Sequence, residues 1–211
     1  MIRRRAVWCL PGVPLGLAGC GASLLPKPAP IGSRYTLDDG IAPSTAPAPA
    51  ASGAPVLVVD GLLSMPGYDS TRMLYQRHPQ ELEAYAYAQW VAPPAAMLAP
   101  RLVRALQRTG TFSAVLLAPS GTPEAWHLSC EFVSLRQTFG AGPSRVRLAL
   151  RAVLLGGTPR RVLAWRDFAQ EAASPTEDAA GGASAAGRAA GQLLQDVARW
   201  CTERLASSDA R

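Results

Sequence analysis

The sequence has few of the residues that carry catalysis or bind metals. Its two histidines are His78 and His127. It lacks the G-x-S-x-G turn of serine hydrolases, the H-E-x-x-H pair of zinc peptidases and the G-x-x-x-x-G-K phosphate loop. A cross-strand charge pair explains His127 beside Ser129 and Glu131 without catalysis, and the carboxylates are too scattered for a metal site. The sequence therefore predicts no enzyme, no cofactor and no metal.

Basic clusters that would suit a nucleic acid are also scarce. The formal charge is +6, but Arg3, Arg4 and Arg5 lie in a segment that is predicted to be removed. Without them 18 basic side chains face 15 acidic ones, a balance of +3. No basic run follows Arg5, and aromatic residues are not interleaved with basic clusters. Nucleic-acid binding is therefore not expected.

The N-terminus has the three parts of a bacterial export signal. Arg3 to Arg5 precede an apolar stretch from Ala6 to Leu15, which is too short to cross a bilayer, since that takes about 20 residues. Leu17-Ala18-Gly19-Cys20 then resembles a lipobox. The resemblance implies cleavage of a signal peptide at 1–19, a diacylglycerol on the Cys20 thiol and a fatty acyl group such as palmitate on its new amino group. Several acyl chains anchor a protein stably.

The residue after Cys20 bears on which membrane holds the anchor. Lipoproteins kept in the inner membrane often carry Asp at this position, and here it is Gly21. This favours the outer membrane of a diderm bacterium, with the protein facing the periplasm.

Residues 20–54 are rich in Pro and Ala, which favours an extended tether without a core. Within it, the segment Ser33 to Leu37 has the composition of a strand, and it either belongs to the tether or adds an edge strand to the domain. We place a single domain at 55–206 and a disordered tail at 207–211.

The domain pattern predicts an α+β fold: an antiparallel sheet with a mid-chain helix and a long C-terminal helix packed on one face. Arg145, Arg147 and Arg151 alternate with Val146, Leu148, Leu150 and Ala152 at a spacing of two, with strands expected on either side. Pro93 and Pro94 suit the first turn of a helix that stops near Gly110. Ser174 is predicted to cap a last helix running to about Arg204.

Two cysteines remain besides Cys9, which lies in the predicted signal peptide, and Cys20, which is the predicted site of lipidation. Cys130 is expected on the inward face of a strand, and Cys201 near the end of the helix that should cover that face. In an oxidising periplasm such a pair tends to form a disulfide. The other interpretation is two small buried thiols, since a sequence does not give their separation.

The order of several short segments resembles the ABC-type transport auxiliary lipoprotein family, which includes the lipoprotein of the paraquat-inducible system. The segments follow the lipobox over most of the remaining chain; they are Arg34-Tyr35-Thr36-Leu37, Arg72-Met73-Leu74-Tyr75, Trp90 with Pro93-Pro94, Met97 to Val103, Gly110-Thr111-Phe112, Phe168 and Ser174-Pro175. The stretch from Ile41 to Pro55 departs from the family by its length.

This resemblance implies a non-enzymatic envelope component that works with an ABC permease, its ATPase and an MCE-domain protein. Such systems move phospholipids or other hydrophobic molecules between two membranes. The resemblance also implies that a homo-oligomer can form. A self-contained lipid carrier or assembly chaperone is the main alternative, and a structural peptidoglycan-binding role ranks below it.

Aromatic residues mark the stretch where a partner or lipid would make contact, because Tyr and Trp are enriched at interfaces. Filling the core is the competing explanation for them. The predicted contact residues are Met73, Leu74, Tyr75, Tyr85, Tyr87 and Trp90.

Overall fold

The computed structural model describes residues 32–37, 50, 53–121, 125–156 and 160–209, which form one mixed sheet and two helices. The α+β prediction with a mid-chain and a long C-terminal helix is confirmed. The signal peptide 1–19, Cys20 and most of the tether lie outside the described residues. The elements are β1 Ser33–Tyr35, β2 Val56–Ser64, β3 Arg72–Gln76, β4 Glu83–Trp90, α1 Pro94–Gln107, β5 Ala114–Leu117, β6 Trp126–Thr138, β7 Arg145–Gly156, β8 Arg161–Ala173 and α2 Ala179–Asp209.

The 13-residue strand β6 lies at the centre of the sheet and has neighbours on both edges. Along one edge it pairs antiparallel with β7, and β7 pairs antiparallel with β8. The other edge is shared, because β2 pairs with the first half of β6 and β3 with its last residues, both in parallel. The predicted antiparallel meander is therefore present, but it is one part of a mixed sheet.

The remaining strands extend the sheet beyond β2 and beyond β3. Strand β5 is parallel to β2, while β4 is antiparallel to β3 and carries β1 in parallel. Ser33 to Tyr35 thus form an edge strand, the second of the two roles left open for this segment. Leu37 follows with only 1% of its surface exposed, so this part of the chain contributes to the core.

Both helices lie against the inward face of the sheet and build its core. In α1, Leu98, Leu102 and Leu106 recur every fourth residue and are fully buried. The helix begins at Pro94, as predicted, and ends at Gln107, shortly before Gly110 with φ of 65°. Helix α2 packs on β7, β8 and α1. No helix in the described part combines the length and apolar character needed to cross a membrane.

The predicted start of α2 is wrong. The helix begins at Ala179, and the Asp178 carboxylate accepts a hydrogen bond from the Gly181 backbone N–H at 2.8 Å, as an N-cap residue does. Ser174 is instead buried, and the Glu177 carboxylate accepts a hydrogen bond from the Ser144 backbone N–H at 2.9 Å. Tertiary contacts therefore occupy the side chains that would have formed the cap. At its other end the helix continues past Arg204 to Asp209.

Candidate functional site

The hairpin of β3 and β4 carries the six residues predicted to contact a partner or lipid, and most of them are buried. Tyr85 is half-buried and Tyr87 is 62% exposed. Tyr87 is therefore the member of the set that offers a contact surface in this conformation. The side chains with 8% or less of their surface exposed are Met73, Leu74, Tyr75 and Trp90.

Tyr75 and Tyr85 form a tilted ring pair whose centroids lie 4.7 Å apart. The Tyr75 hydroxyl donates to Glu83 Oε2 at 2.8 Å, and the Arg77 guanidinium lies 5.0 Å from the centre of the Tyr75 ring. The hydrogen bond to Glu83, and then burial, raise the pKa of Tyr75. Burial raises the pKa of Tyr85 to about 12. Both phenols therefore remain protonated at neutral pH and act as hydrogen-bond donors.

A buried polar network joins this hairpin to β6 and to the start of α2. The Gln137 amide nitrogen donates to Ser144 Oγ at 2.8 Å and to Ser174 Oγ at 3.3 Å. Its oxygen accepts a hydrogen bond from the Tyr85 hydroxyl at 3.0 Å. Because these groups satisfy one another, the buried amide is accommodated without a ligand.

The cavity beside this network is far too small for a lipid. Its volume is about 10 Å³, the space of roughly one water molecule, whereas pockets for small molecules usually hold about 300–1,000 Å³. Its walls come from β3, β4, β6, β7 and α2, and include Met73, Trp90, Leu135, Val146 and Ala186. In this conformation the interior next to the hairpin is filled by its own side chains.

A larger, open cleft of about 450 Å³ lies between β8 and α2. Charged side chains of both signs line it, including Arg166, Asp196, Arg199 and Glu203. Burying charge against hydrocarbon is costly, so this lining does not suit an acyl chain.

His127 is buried on the sheet face that points away from the helices. Its Nδ1 lies 2.7 Å from Asp60 Oδ1, and among the described residues its Nε2 has no hydrogen-bond partner. Asp60 follows the short run Val56 to Val59 in β2, and it supplies a hydrogen-bond partner from the neighbouring strand. The described residues contain no group of three His, Cys, Asp or Glu side chains arranged to hold a metal.

Cys130 and Cys201 are both buried and carry free thiols. Burial raises the pKa of Cys130 to about 12 and also raises the pKa of Cys201, to which the neighbouring Cys130 adds. The formation of a disulfide between them in an oxidising compartment stays a prediction.

The outer face of β7 and β8 carries ordered ion pairs. Arg147 contacts Glu171 at 2.9 Å, and Arg145 contacts the same carboxylate at 3.5 Å. Arg151 binds Asp167 through two hydrogen bonds of 2.7 and 3.0 Å. These arginines lower the pKa of both carboxyl groups. The alternating arginines of β7 thus face solvent and neutralise acidic residues of β8.

Beyond these ion pairs, towards the hairpin end of β7 and β8, the outer face is apolar. Val162 is 59% exposed and Trp165 62% exposed. This surface was not predicted from the sequence, although the apolar run from Val162 to Trp165, which breaks the alternation kept in β7, is a signal for it. It is the largest difference between the predicted and the observed contact surfaces.

The structure defines a small α+β protein whose core is filled by its own side chains. Its ion pairs and its exposed aromatic residues lie on the surface. Residues 35–198 match the family model of the ABC-type transport auxiliary lipoprotein component. Because this match spans nearly the whole folded unit, the chain belongs to that family. The suspected family is confirmed.

Solved structures with the same fold come from several sources. A Xanthomonas campestris protein has a TM-score of 0.69 at 22% identity, covering 85% of this chain and 99% of its own. A protein described as uncharacterised has a TM-score of 0.62 at 15% identity, covering 81% and 99%. A hypothetical protein of Chlamydia trachomatis has a TM-score of 0.52 at 9% identity, covering 74% and 99%. None of the curated proteins compared with the chain matches it.

Proposed function

We propose that this protein is a non-enzymatic auxiliary lipoprotein of an ABC transport system containing an MCE-domain protein, which moves phospholipid or other hydrophobic molecules between membranes. The family match over residues 35–198 carries this proposal. The partners are the MCE-domain protein, the permease and its ATPase. The chain contributes docking and positioning, while the ATPase supplies the energy.

The anchor in this proposal is Cys20, acylated after removal of residues 1–19. Lipidation holds the domain on the periplasmic side of a membrane, and Gly21 favours the outer one. The working form is a homo-oligomer, as the resemblance implies.

Within the predicted contact set, we propose that Tyr87 touches the partner and that the other members hold β4 in place. This division follows from burial. The Tyr75–Tyr85 ring pair and Trp90 fix the hairpin against the core, while Tyr87 projects into solvent from the same strand. A large aromatic side chain that is exposed beside a fixed scaffold suits a binding contact.

A self-contained lipid carrier is the second candidate, and the cavity volume disfavours it. A carrier must enclose at least part of an acyl chain, whereas the cavity beside Gln137 has room for one water molecule. The carrier would therefore need a different conformation, in which α2 or the β3–β4 hairpin moves away from β6.

The test is purification of the full-length, lipidated protein from gently solubilised membranes, with identification of bound proteins and lipids. We expect the MCE-domain protein and its permease to be recovered with the wild type, and recovery to fall for Tyr87→Ala. A matched control is Leu82→Ala, another exposed apolar residue, 45% exposed, near the same hairpin. Bound lipid without these proteins would favour the carrier, and recovery of neither would overturn the transport proposal.

A further inference from the structure

The apolar patch at the hairpin end of β7 and β8 is built by cross-strand pairing. Val162 pairs with Leu155, and Trp165 pairs with Val153. Directly opposed residues of two strands share a face of the sheet, so these four side chains lie together. They lie on the outer face, because the intervening Leu154 points into the core.

Two arginine side chains next to this patch carry charge that is not neutralised nearby. Arg160 and Arg161 take part in none of the ion pairs found in the described ranges, in contrast to Arg145, Arg147 and Arg151. Arg160 and Arg161 are exposed, next to Val162 in the chain. The patch therefore combines exposed apolar groups with excess positive charge.

Trp165 adds a second feature of this surface. The Arg151 guanidinium lies 5.5 Å from the centre of its ring, while most of the indole remains open to solvent. Trp is enriched at the headgroup level of membranes, where its ring contacts hydrocarbon and its N–H stays hydrated. Arginine side chains can lie along such a boundary and bind phosphate groups bidentately.

The length of the tether is compatible with contact between this face and a bilayer. If Cys20 carries the acyl chains, 13 residue steps connect it to Ser33, where β1 begins. Fully extended, they reach about 45 Å. The domain is therefore held within reach of the surface in which its anchor lies.

We propose that the hairpin end of β7 and β8 docks on an anionic phospholipid surface. Val162 and Trp165 enter the boundary between headgroups and acyl chains, and Arg160 and Arg161 bind lipid phosphates. Anionic headgroups supply the charge that complements these arginines, and each basic residue near such a surface contributes attraction. The docking would orient the domain relative to the membrane, which a lipid anchor at Cys20 alone does not do.

The test places a polarity-sensitive nitrobenzoxadiazole probe on the full-length, lipidated protein. Cys130 and Cys201 are buried and Cys20 is acylated, so a single introduced cysteine can be labelled selectively. Val162→Cys reports on the patch and leaves Trp165 in place. Tyr87→Cys is the matched control, because Tyr87 is similarly exposed and lies on β4, on the opposite side of β6 from β7 and β8.

Both labelled proteins are reconstituted into vesicles of phosphatidylethanolamine with phosphatidylglycerol, and into vesicles of phosphatidylcholine alone. We expect a blue-shifted, stronger emission at position 162 in the anionic vesicles, quenched by spin-labelled lipid, and no change at position 87. The double variant Arg160→Gln/Arg161→Gln should reduce the signal at 162 to that of the control. About 1 M salt should weaken it too, because the Debye length falls to about 3 Å.

Equal signals at the two positions, or a signal at 162 that ignores lipid charge, would overturn the proposal. A signal at 162 that arises without vesicles and depends on protein concentration would assign the patch to an interface between copies of this chain instead. Loss of the transport partners in the purification above would leave this result unaffected, because the vesicles contain no other protein.

Discussion

Gly182 of α2 lies against the side-chain amide of Gln137 of β6, so closely that a methyl group on Gly182 would overlap Gln137 Oε1. The contact closes the buried network around Gln137 and sets the distance between helix and sheet. The Gly-rich start of α2 is thus explained by a close approach at one defined position.

Replacing this glycine should loosen the helix from the sheet. We expect Gly182→Ala to lower the free energy of unfolding by about 1–3 kcal/mol, as overpacking in a filled interior does, although alanine favours the helix by up to about 1 kcal/mol. Urea denaturation measures this change. Gly140→Ala, where an added Cβ has no atom within 4 Å, is the control and should have little effect. Combining Gly182→Ala with Gln137→Ala should be less harmful than the sum of the two, and simple additivity would contradict the contact.

The cap at Asp178 should make stability depend on pH. Hydrogen bonds from the Thr176 hydroxyl and then from the Gly181 backbone lower the pKa of Asp178 in the folded state. Its contribution is therefore present above the unfolded value of about 3.9 and is lost as the pH falls through the lower folded value. Asp178→Asn keeps a capping oxygen but does not titrate. We expect the stability difference between wild type and Asp178→Asn to shrink in acid, and a difference that is constant between pH 2 and pH 7 would contradict the assignment.

The two buried thiols should be unreactive in the folded protein. The raised pKa of Cys130, about 12, leaves almost no thiolate at neutral pH, and the thiolate is the reactive form. We expect a thiol reagent to modify Cys130 and Cys201 slowly under native conditions and completely in urea. Mass spectrometry of the protein isolated from cells without reducing agent provides the complementary measurement. A mass lower by two hydrogens would show that the disulfide interpretation was right.

Removing Asp60 should destabilise the protein without affecting partner binding. Asp60→Ala leaves the buried His127 Nδ1 without its partner, and an unsatisfied buried polar group costs about 1–3 kcal/mol. Asp60→Asn retains an oxygen for this hydrogen bond and should cost less. Thermal unfolding followed by circular dichroism measures both variants. Equal losses for the two would indicate that charge, and not the hydrogen bond, holds His127.

The sequence predicted best those elements that depend on local patterns. The alternation in β7 depends on neighbouring residues in the chain, and so does the Pro94 start of α1; both were found. The start of α2 was not, because Ser174 and Glu177 have good capping chemistry but bind Gln137 and Ser144 instead. A capping pattern does not show which distant groups compete for the same side chains.

Prediction of the contact surface was limited by the same problem. Tyr75 and Trp90 are aromatic residues in a strand, as Trp165 is, yet two are buried and one is exposed. The difference arises from which face of the sheet the helices cover, and from the bulge that brings Val162 opposite Leu155. Neither follows from composition. The parallel pairing of β2 with β6 was also not predicted, because it joins segments that are far apart in the chain.

The position of β6 also determines the order in which the sheet can assemble. Val58 pairs with His127, 69 positions later, and Ser33 pairs with Ala88. In a chain that emerges from a translocation channel N-terminus first, β1 and β2 are exposed before their neighbours arrive. The strongly apolar run Leu57 to Val59 must then stay unpaired until its first partners, Val115 to Leu117 of β5, arrive 58 positions later. Long-range pairing of this kind folds slowly, so the edges of β1 and β2 stay open to other contacts for longer than those of a local hairpin.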